Sequence, residues 1–393
     1  MELSERVKRI KPSPTLAITA RAAQLRAEGK DIIGFGAGEP DFDTPEHVKK
    51  AAIAAINSGF TKYTAVAGTA ELKQAVINKF SRDNGFDYKP DQILVSVGGK
   101  QSFYNLAQAL LSNGDEVIIP APYWVSYPDM VLLADATPVI ISSGIEQNFK
   151  ISPAQLEAAI TAKTRLVVIN SPSNPTGASY GRDELIALGA IIKKHPRIIV
   201  ACDDIYEHIL REGETFCNIL MACPDLYDQA IILNGVSKAY SMTGWRIGYA
   251  GGPETLITAM KNIQSQSTSN PTSISQVAAQ AALEGDQSFI DTMNSAFNER
   301  HDFVLETLNG FPGVKCLPSP GAFYAFPEMS AAIEATPGVN NDVEFGEYLI
   351  NQAGVALVPG SAFGAPGYMR LSFATSMKNL REGLQRIQKT LRN

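Results

Sequence analysis

The stretch DQILVSVGGKQSFYNLAQALL, residues 91–111, combines two patterns that decide the fold class. Its first part is a short apolar run rich in β-branched residues, which is typical of a strand buried on both faces. Two glycines follow, and after them apolar residues recur at the spacing of an amphipathic helix. The stretch therefore predicts a strand, a tight glycine turn and a helix in direct succession.

Similar apolar runs recur along the chain, and several of them are separated by connections long enough for a helix. The further predicted strands are DEVIIP (115–120), TPVIIS (137–142), TRLVVIN (164–170), RIIVACDD (197–204), QAIILNG (229–235) and WRIGYAGG (245–252). Strands that alternate with helices favour an α/β domain built on a mostly parallel sheet.

A chain of 393 residues is long enough for two domains. Thr44 and Pro45 have the composition of a helix start, with the threonine hydroxyl as the cap and proline at the first helical position. That helix is predicted to open a large domain over residues 46–285. Residues 1–45 are then expected to form an N-terminal arm that contributes to the second domain.

After about residue 285 the pattern changes from alternating strands and helices to a long polar helix followed by short strands. The segments concerned are the helix at about 287–309, strands near GAFYAFP (321–327), VALVPG (355–360) and MRLSFA (369–374), and the amphipathic helix SMKNLREGLQRIQKTL (376–391). Residues 286–393 are therefore predicted to form a smaller α+β domain.

Composition argues against several classes of function. The formal charge of −6 and the lack of a basic run argue against nucleic-acid binding. No secretory signal and no apolar run of membrane-spanning length is visible, so no membrane partner is expected. The four cysteines form no C-x-x-C pair and the four histidines show no ligand spacing, so no metal site is predicted. These features favour a cytoplasmic protein with reduced thiols.

Polar and aromatic residues follow the predicted strands, at the edge where an open α/β sheet forms its binding crevice. They are Gly99 and Lys100 after 91–97, Trp124 after 115–120, Asn174 after 164–170, Asp203 and Tyr206 after 197–202, and Ser237, Lys238 and Arg246 after 229–235. The set contains a helix start with free N–H groups that can bind a phosphate, a flat aromatic ring, an amide, a carboxylate, a phenol, an amine and a guanidinium group.

These groups are the ones that pyridoxal phosphate requires. An amine forms a Schiff base with the cofactor aldehyde, a carboxylate keeps the pyridine nitrogen protonated, and an aromatic face covers the ring. A phenol and an amide can bind the ring oxygen, while helix N–H groups and an arginine bind the phosphate. Covalent attachment would also remove the charge of Lys238, which is costly at the end of a buried strand.

Each residue taken alone also has an ordinary structural interpretation. A lysine after a strand is usually a surface residue, Asp203 and Asp204 have the composition of a solvated strand end, and tryptophans such as Trp124 are often core residues. Asn174 lies in an ordinary turn composition. The ordered set is more specific, because its members fall at the same end of different predicted strands. Of the two adjacent carboxylates, Asp203 is the predicted functional residue, and Asp204 is expected to tolerate substitution.

The sequence also resembles a known family over nearly its whole length, from KPSPT (11–15) to MRLSFATS (369–376). The motifs that carry the resemblance are GEPDFDTP, GGKQ, PYWVSYP, SPSNPTG and NGVSKAYSMTGWRIGY. They are similar to those of class I aminotransferases of fold-type I, in particular the bacterial aspartate aminotransferase branch. The resemblance implies pyridoxal phosphate as the cofactor and transamination between aspartate and 2-oxoglutarate. Activity on prephenate as well, or another amino donor, remains an alternative.

The resemblance also implies roles for individual residues. In the cofactor site, Lys238 is the Schiff-base lysine and proton shuttle, Asp203 binds the ring nitrogen, Tyr206 and Asn174 bind the ring oxygen, Trp124 stacks on the ring, and Ser237, Arg246, Gly99 and Lys100 bind the phosphate. Many relatives carry a further phosphate-binding serine where this chain has Gly235, so one phosphate hydrogen bond is not expected here.

For the substrate, the resemblance implies two carboxylate sites. The α-carboxylate is expected on Arg370, with Asn174, Trp124 and the backbone of Gly38 beside it. The distal carboxylate is expected on Lys100 and Ser13, although the two could instead be a solvated helix-start lysine and a turn residue. Tyr63 matches a tyrosine that reaches the phosphate of the neighbouring subunit, which implies a homodimer with shared sites.

Three other functions remain open at this point. GFGAGEP (34–40) suggests a dinucleotide-binding dehydrogenase, but Glu39 replaces the third glycine of the motif and Pro40 stands where a helix should begin. A pyridoxal-phosphate-binding transcriptional regulator would need an added DNA-binding module, for which only about 45 residues precede the large domain. A β-lyase or a decarboxylase could use the same cofactor site.

Overall fold

The structure, a computed structural model, describes residues 1–12 and 14–392. Its helices are α1 (Glu5–Arg9), α2 (Pro14–Ala27), α3 (Glu46–Asn57), α4 (Ala70–Lys79), α5 (Gly99–Leu110), α6 (Ser126–Leu133), α7 (Pro153–Ala159), α8 (Arg182–Ile192), α9 (Ile219–Ala222), α10 (Glu254–Ser265), α11 (Ser273–Glu284), α12 (Ser288–Asn309), α13 (Ser330–Ala335), α14 (Asp342–Ala353) and α15 (Met377–Leu391). Within these described ranges, no helix is both long enough and apolar enough to cross a membrane.

The strands fall into three sheets. They are β1 (Ile33–Gly34), β2 (Ile93–Ser96), β3 (Glu116–Ala121), β4 (Thr137–Ser142), β5 (Thr164–Asn170), β6 (Ile199–Asp203), β7 (Ala230–Gly235), β8 (Gly248–Gly251), β9 (Tyr324–Ala325), β10 (Val355–Ala356), β11 (Val358–Pro359) and β12 (Met369–Ser372). The central sheet has the order β2-β8-β7-β6-β5-β3-β4. Only β8 runs antiparallel to its neighbours in this sheet, so the predicted mostly parallel sheet is confirmed.

The predicted strands match the central sheet closely, with one clear difference. The run WRIGYAGG was expected to begin its strand at residue 245, whereas β8 begins at Gly248. A single 3₁₀ turn occupies Thr243–Trp245, and Arg246 then adopts the left-handed conformation with φ 58°. A left-handed residue cannot continue a strand, so β8 starts only after Arg246. The Arg246 side chain instead lies against Gly98 at the start of α5.

Both faces of the central sheet are buried. On one face Ile118 and Val167 belong to a core that α4, α8 and α11 help to enclose. On the other face Val117 and Ile119 pack with residues of α5, α6 and α10. Two covered faces explain why the strand sequences are continuously apolar rather than alternating.

A separate core lies outside the central sheet. It joins apolar residues of α12, α14 and α15 with the small sheet of order β11-β12-β9, and Ile33 and Phe35 of the N-terminal segment belong to it. The strand β1 pairs in parallel with β10. These contacts link the N-terminal segment to the C-terminal part of the chain, as expected if residues 1–45 contribute to the second domain. The exact division at residues 45 and 285 stays a prediction.

The expected helix cap at Thr44 is wrong. The helix α3 does begin just after Pro45, but its start has no side-chain cap. The Thr44 hydroxyl instead donates to the carbonyl oxygen of Ser241 at 2.8 Å and accepts from the indole N–H of Trp245 at 2.9 Å. A tertiary contact has replaced the local one, and it ties the start of α3 to the segment that follows Lys238.

Candidate active site

One cavity of about 270 Å³ opens where β5, β6 and β7 end. Eleven of the thirteen predicted site residues line it, namely Gly38, Gly99, Lys100, Trp124, Asn174, Asp203, Tyr206, Ser237, Lys238, Arg246 and Arg370. Tyr63 is 92% exposed and is not among the described residues that line the cavity. Ser13 lies outside the described residues. The carboxyl ends of the strands therefore meet as the sequence predicted.

Lys238 lies three residues beyond β7, with its amine inside the cavity. The Nζ atom donates to the carbonyl oxygen of Gly38 and sits 5.9 Å from the ring centre of Tyr206. Burial lowers the pKa of Lys238 to about 8, and the negative charge of Glu39 partly opposes this effect. The neutral amine that a nucleophile requires is therefore far more populated near neutral pH than for an ordinary lysine, although the ammonium form still predominates at pH 7.

Asp203 ends β6 and carries the carboxylate of the cavity. Its Oδ2 atom accepts the hydroxyl of Tyr127, and its Oδ1 atom accepts the backbone N–H of Ile205 at 3.3 Å. Burial raises the pKa of Asp203, while the hydrogen bond from Tyr127 and the charge of Lys238 act in the opposite direction. Protein donors thus favour the ionised carboxylate in a site that would otherwise neutralise it.

Tyr206 shares a hydrogen bond with a tyrosine that the sequence did not single out. The hydroxyl groups of Tyr206 and Tyr324 lie 2.8 Å apart. Burial raises the pKa of both phenols, so each keeps its proton and can donate a hydrogen bond. Tyr324 occurs in the motif GAFYAFP, whose strand was predicted but whose side chain gave no signal of its own.

The start of α5 forms a cradle with the positive charge and the hydrogen-bond donors that a phosphate needs. Gly98 has φ 84°, and a Cβ atom at this position would lie only 2.5 Å from Nη2 of Arg246. The guanidinium group is held by a hydrogen bond from its Nη1 to the carbonyl oxygen of Thr243 at 2.8 Å. Ser237 lines the same cavity. Free helix N–H groups beside an arginine and a hydroxyl fit a phosphate dianion.

The glycine that replaces the usual serine is explained by packing. A Cβ atom on Gly235 would lie 2.9 Å from the carbonyl oxygen of Ile247 and 3.0 Å from Cα of Gly248. On the neighbouring strand, a Cβ atom on Gly248 would lie 2.3 Å from the backbone nitrogen of Gly99. The start of α5 therefore packs directly on the backbone of β8, in a layer that has no room for side chains.

Arg370 lines the cavity and is buried, with 2% of its surface exposed. Its Nη1 atom donates to Oδ1 of Asn174 at 2.9 Å, and its Nη2 atom donates to the carbonyl oxygen of Gly36 at 2.6 Å. The ring of Tyr324 lies 4.6 Å from the guanidinium carbon. The buried Nε atom has no partner among the described residues. This arginine is fixed in place and retains N–H groups for a carboxylate.

Lys100 and Trp124 lie together in the lining of the cavity. The Nζ atom of Lys100 is 5.1 Å from the centre of the Trp124 ring. Partial burial and the charge of Arg246 lower the pKa of Lys100. Among the ion pairs of the described residues, none involves Lys100. Its ammonium group therefore remains available to an anion that enters the cavity.

Comparison with known proteins identifies the family. Residues 30–387 match the sequence profile of the family described as "Aminotransferase class I and II". The chain belongs to this family. Its activity is accordingly that of an aminotransferase that depends on pyridoxal phosphate, as the residues of the cavity predicted.

Relatives and solved structures agree with this assignment. The chain is 62% identical over the full length of both chains to the aspartate/prephenate aminotransferase of Nitrosomonas europaea. It is 51% identical to the aspartate aminotransferase of Geobacillus stearothermophilus, covering 99% of this chain and 98% of that one. The aspartate aminotransferase structure from Rhizobium meliloti superposes with a TM-score of 0.96 at 47% identity, covering 100% and 99% of the two chains. The predicted fold-type I architecture is confirmed.

The structure and the relatives also bear on the other functions that the sequence left open. The Gly-rich segment GFGAGEP begins at Gly34, the last residue of the short strand β1, and is not followed by a helix until α3, so it does not form a dinucleotide-binding turn. In place of a transcriptional regulator, a lyase or a decarboxylase, the family match over residues 30–387 and relatives named as aminotransferases support an aminotransferase.

Asp204 differs from what the sequence suggested. It is 1% exposed, and its Oδ2 atom accepts the amide of Asn218 at 2.6 Å. Burial and the nearby charge of Glu207 raise its pKa well above the ordinary value. The structure does not support the expectation that Asp204 tolerates substitution, because Asp204 is buried and hydrogen-bonded and is not exposed to solvent at the end of the strand.

A second polar cluster lies directly beneath the cavity and centres on the buried Glu207. Its carboxylate pairs with the buried amine of Lys79 and accepts the amides of Asn84 at 2.9 Å and Asn234 at 2.6 Å. Burial acts to raise the pKa of Glu207, but the charge of Lys79 and the hydrogen bond from Asn84 hold it below its usual value. Because Asn234 lines the cavity, the cluster supports its floor.

The same cluster contains the described carboxylates and imidazole that come closest to a metal-binding set. Ligand atoms of Asp83, Glu207 and His208 lie within 4.8 Å of one another. The Lys79 amine lies 3.8 Å from Asp83 and pairs with Glu207, so an ammonium group already supplies positive charge there.

Proposed function

We propose that this aminotransferase moves the amino group of L-aspartate to 2-oxoglutarate, giving oxaloacetate and L-glutamate. The observation that carries the proposal is that Arg370 and Lys100, two cations with donors to spare, line the cavity together with Lys238. Each substrate carries two carboxylates, and each of the two carboxylates needs its own cation. Curated relatives are named for aspartate, and a Thermus thermophilus aspartate aminotransferase of 44% identity and TM-score 0.93 was solved with the dicarboxylate maleate.

The residues of the sheet edge are proposed to hold the cofactor. Asp203 would bind the ring nitrogen, Tyr206 and Asn174 the ring oxygen, and Trp124 would cover the ring. The phosphate would lie on Ser237, Arg246 and the N–H groups of Gly99 and Lys100, in the cradle at the start of α5. When bound, pyridoxal phosphate supplies an electron sink for the bond broken at the substrate α-carbon.

Lys238 is proposed to move the proton. With a pKa lowered to about 8, its amine can take a proton from the substrate α-carbon, and with pyridoxal phosphate bound it would deliver that proton to the cofactor carbon C4′. The carbonyl oxygen of Gly38 accepts from the amine and orients it. The two steps need one base on one side of the substrate, and Lys238 is the amine that the cavity holds close to Asp203 and Tyr206.

Arg370 is proposed to bind the α-carboxylate that all amino donors share. Its guanidinium group is already aligned by Asn174 and by the backbone at Gly36. Lys100 is proposed to bind the distal carboxylate, with Ser13 as a second contact. The ammonium group of Lys100 lacks a protein carboxylate among the described residues, which distinguishes it from an ordinary surface lysine in an ion pair.

Prephenate is a second candidate substrate. The relative from Nitrosomonas europaea and one from Cereibacter sphaeroides, at 62% and 53% identity, are both named for aspartate and prephenate. The ring carboxylate of prephenate could bind Lys100 in the same way as a distal carboxylate. Formation of the amino acid product from prephenate, with aspartate or glutamate as donor, tests this activity directly.

A homodimer with shared sites is also part of the proposal. Tyr63 is 92% exposed, and the nearby side chains Ile53, Ile56 and Phe60 are 56%, 50% and 39% exposed. Exposed apolar side chains on one helix and the loop after it are typical of an interface between subunits. Tyr63 would reach the phosphate of the partner subunit from there. The predicted cytoplasmic location stays a prediction.

Shared sites can be tested with hybrid dimers. A Tyr63→Ala variant and a Lys238→Ala variant are each expected to be almost inactive, whereas their mixture should regain up to about a quarter of wild-type activity, because half of the random dimers hold one intact site. A fully active monomer in light scattering at the assay concentration would contradict the dimer.

The substrate assignment is tested by a screen of half-reactions. The loaded enzyme is mixed with one amino acid at a time, and the change in the visible absorbance of the cofactor is followed. Aspartate and glutamate should react with the highest kcat/KM, and alanine is the matched donor without a distal carboxylate. A preference for a neutral or aromatic donor would overturn aspartate as the substrate while leaving the aminotransferase assignment intact.

A further inference from the structure

Tyr127 is buried beneath the cavity and has no assigned role. It lies in the first turn of α6 and is 1% exposed. Its hydroxyl donates to Oδ2 of Asp203, a residue 76 positions away in sequence. The main chain of Asp203 is held separately, because the amide of Asn170 donates to its carbonyl oxygen at 2.9 Å. The side chain and the backbone of Asp203 are thus fixed by different partners.

The ring of Tyr127 is held in a single position by other aromatic rings. Its centre lies 4.8 Å from that of Phe103 on α5 and 5.2 Å from that of Trp124, which it meets edge to face at 85°. A ring packed between two others cannot turn its hydroxyl away without leaving a void. The phenol therefore stays directed at Asp203, and the same packing connects it to the tryptophan in the lining of the cavity.

The phenol is a dependable donor. Burial, together with the charge of Asp203, raises the pKa of Tyr127 well above its usual value, so the hydroxyl keeps its proton. A hydrogen bond to a carboxylate stabilises the charged form of that carboxylate. The effect opposes the burial of Asp203, which by itself favours the neutral acid.

The neighbouring carboxylate shows what a purely structural arrangement looks like. Asp204 is enclosed in the interior and is held by the amide of Asn218. Asp203 instead lines the cavity, while Tyr127 binds it from the protein side. A phenol behind a carboxylate that faces a ligand site can act on that ligand through the carboxylate.

We propose that Tyr127 is a positioning residue for the cofactor ring, because its hydrogen bond keeps the Asp203 carboxylate ionised and directed at the ring nitrogen. The inference rests on the proposed role of Asp203. If the proposal is right, the Tyr127 hydroxyl strengthens cofactor binding only when the cofactor ring contains a nitrogen that can be protonated.

The test compares two ligands in two proteins. Apoenzyme is titrated with pyridoxal phosphate and with the deaza analogue, in which a C–H group replaces the ring nitrogen, and the dissociation constants are measured. Wild-type protein should prefer pyridoxal phosphate. Tyr127→Phe should weaken the binding of pyridoxal phosphate by about tenfold or more, as expected for the loss of a hydrogen bond to a charged group, and should leave the analogue nearly unchanged.

Tyr180→Phe is the matched control. Tyr180 is also a buried tyrosine, but its hydroxyl accepts the backbone N–H of Ile151 at 3.0 Å and does not contact Asp203. Its loss should leave the ratio of the two dissociation constants unchanged. In Tyr127→Phe the pKa of Asp203 should rise, so the affinity for pyridoxal phosphate should be lost at a higher pH than in wild type as the pH falls.

Two results overturn the inference in distinguishable ways. If wild-type protein binds both ligands equally well, Asp203 does not contact the ring nitrogen, and the proposed role of that residue fails with the inference. If wild type prefers pyridoxal phosphate and Tyr127→Phe keeps the same preference, or weakens both ligands equally, the inference alone fails.

A double variant keeps the test usable if Tyr127→Phe does not fold. Asp203→Asn with Tyr127→Phe removes the buried charge along with its donor. Its ratio of dissociation constants should equal that of Asp203→Asn alone, because Tyr127 then has no carboxylate to act through. An additional change in the ratio would contradict the proposal.

Discussion

The two sides of the cavity are built in different ways. The sheet side consists of Asp203, Tyr206 and Lys238, whose backbones lie at or just after the ends of strands in one continuous sheet. Their side chains form hydrogen bonds with Tyr127, Tyr324 and the carbonyl oxygen of Gly38. The arginine side consists of Arg370 and its partners. There, a hydrogen bond joins Arg370 to Gly36, residues 334 positions apart.

This difference separates two tasks. On the sheet side the backbone of each residue proposed for the cofactor is fixed at or just after the end of a strand of the central sheet, although Gly38 and Tyr324 also contact these side chains. The guanidinium of Arg370 is positioned by segments from both ends of the chain and by Asn174 of the sheet side. Loss of a sheet-side residue should therefore lower the rate of the chemical step for all substrates. Loss of Arg370 should weaken the binding of every amino donor, and loss of Lys100 should change the selectivity between donors.

The largest effect is expected for Lys238→Ala on the sheet side. The variant should lose the visible absorbance of the lysine-bound cofactor and nearly all turnover, at least about 10⁴-fold, because the nucleophile and the proton carrier are removed together. Borohydride reduction of wild-type enzyme followed by peptide mapping should label Lys238. A label on another lysine would show that the sheet side has been assigned wrongly.

Asp203→Asn should lower kcat by orders of magnitude for every amino donor while the protein stays folded. An uncharged amide cannot keep the ring nitrogen protonated, so the electron sink is weakened irrespective of the substrate. Thermal unfolding reports whether the fold is kept, and Asp183→Asn on the exposed part of α8 is a suitable control. If kcat fell for only one amino donor, Asp203 would be acting on that substrate and not on the cofactor, and the two sides of the cavity would not have separate tasks.

Arg370→Lys tests the arginine side. A lysine cannot form the two parallel hydrogen bonds of a guanidinium group, so kcat/KM should fall by about tenfold to a hundredfold. The decrease should be similar for aspartate and alanine, because both carry the α-carboxylate. If aspartate were affected far more than alanine, Arg370 would be binding the distal carboxylate instead.

Lys100→Ala should give the smallest and most selective effect. The kcat/KM for aspartate should fall by about tenfold, and that for alanine should change little, since only dicarboxylates make this contact. Part of the loss could come through the cofactor, because the backbone of Lys100 lies in the phosphate cradle, and measurement of the cofactor dissociation constant separates the two. Equal losses for both donors would refute a role for this side chain in selectivity.

The sequence predicted much of the sheet side, because each residue there follows an apolar strand that is visible as a pattern. The residues that it missed depend on contacts between distant segments. Tyr127 lies within the recognised motif PYWVSYP, and Tyr324 within GAFYAFP, but nothing in either motif indicates that their hydroxyl groups reach Asp203 and Tyr206. The pairing of these rings is set by how the helices and the second core pack on the sheet.

The two errors near the site have the same origin. Thr44 has the composition of a helix cap, yet its hydroxyl bonds to Ser241 and Trp245, which are distant in sequence. Asp204 has the composition of a strand end in water, yet a partner from a later segment, Asn218, encloses it. Local sequence composition shows which hydrogen bonds a side chain can form, but contacts with distant segments determine which of them it does form.

The buried pair of Lys79 and Glu207 has a consequence for the way this sequence can vary. Replacing either residue alone leaves an unpaired charge beneath the floor of the cavity, and such changes are strongly destabilising. A simultaneous exchange of both for apolar residues would avoid that penalty, but it would still leave the amides of Asn84 and Asn234 without their acceptor. Substitutions at these four positions should therefore be inherited together or not at all.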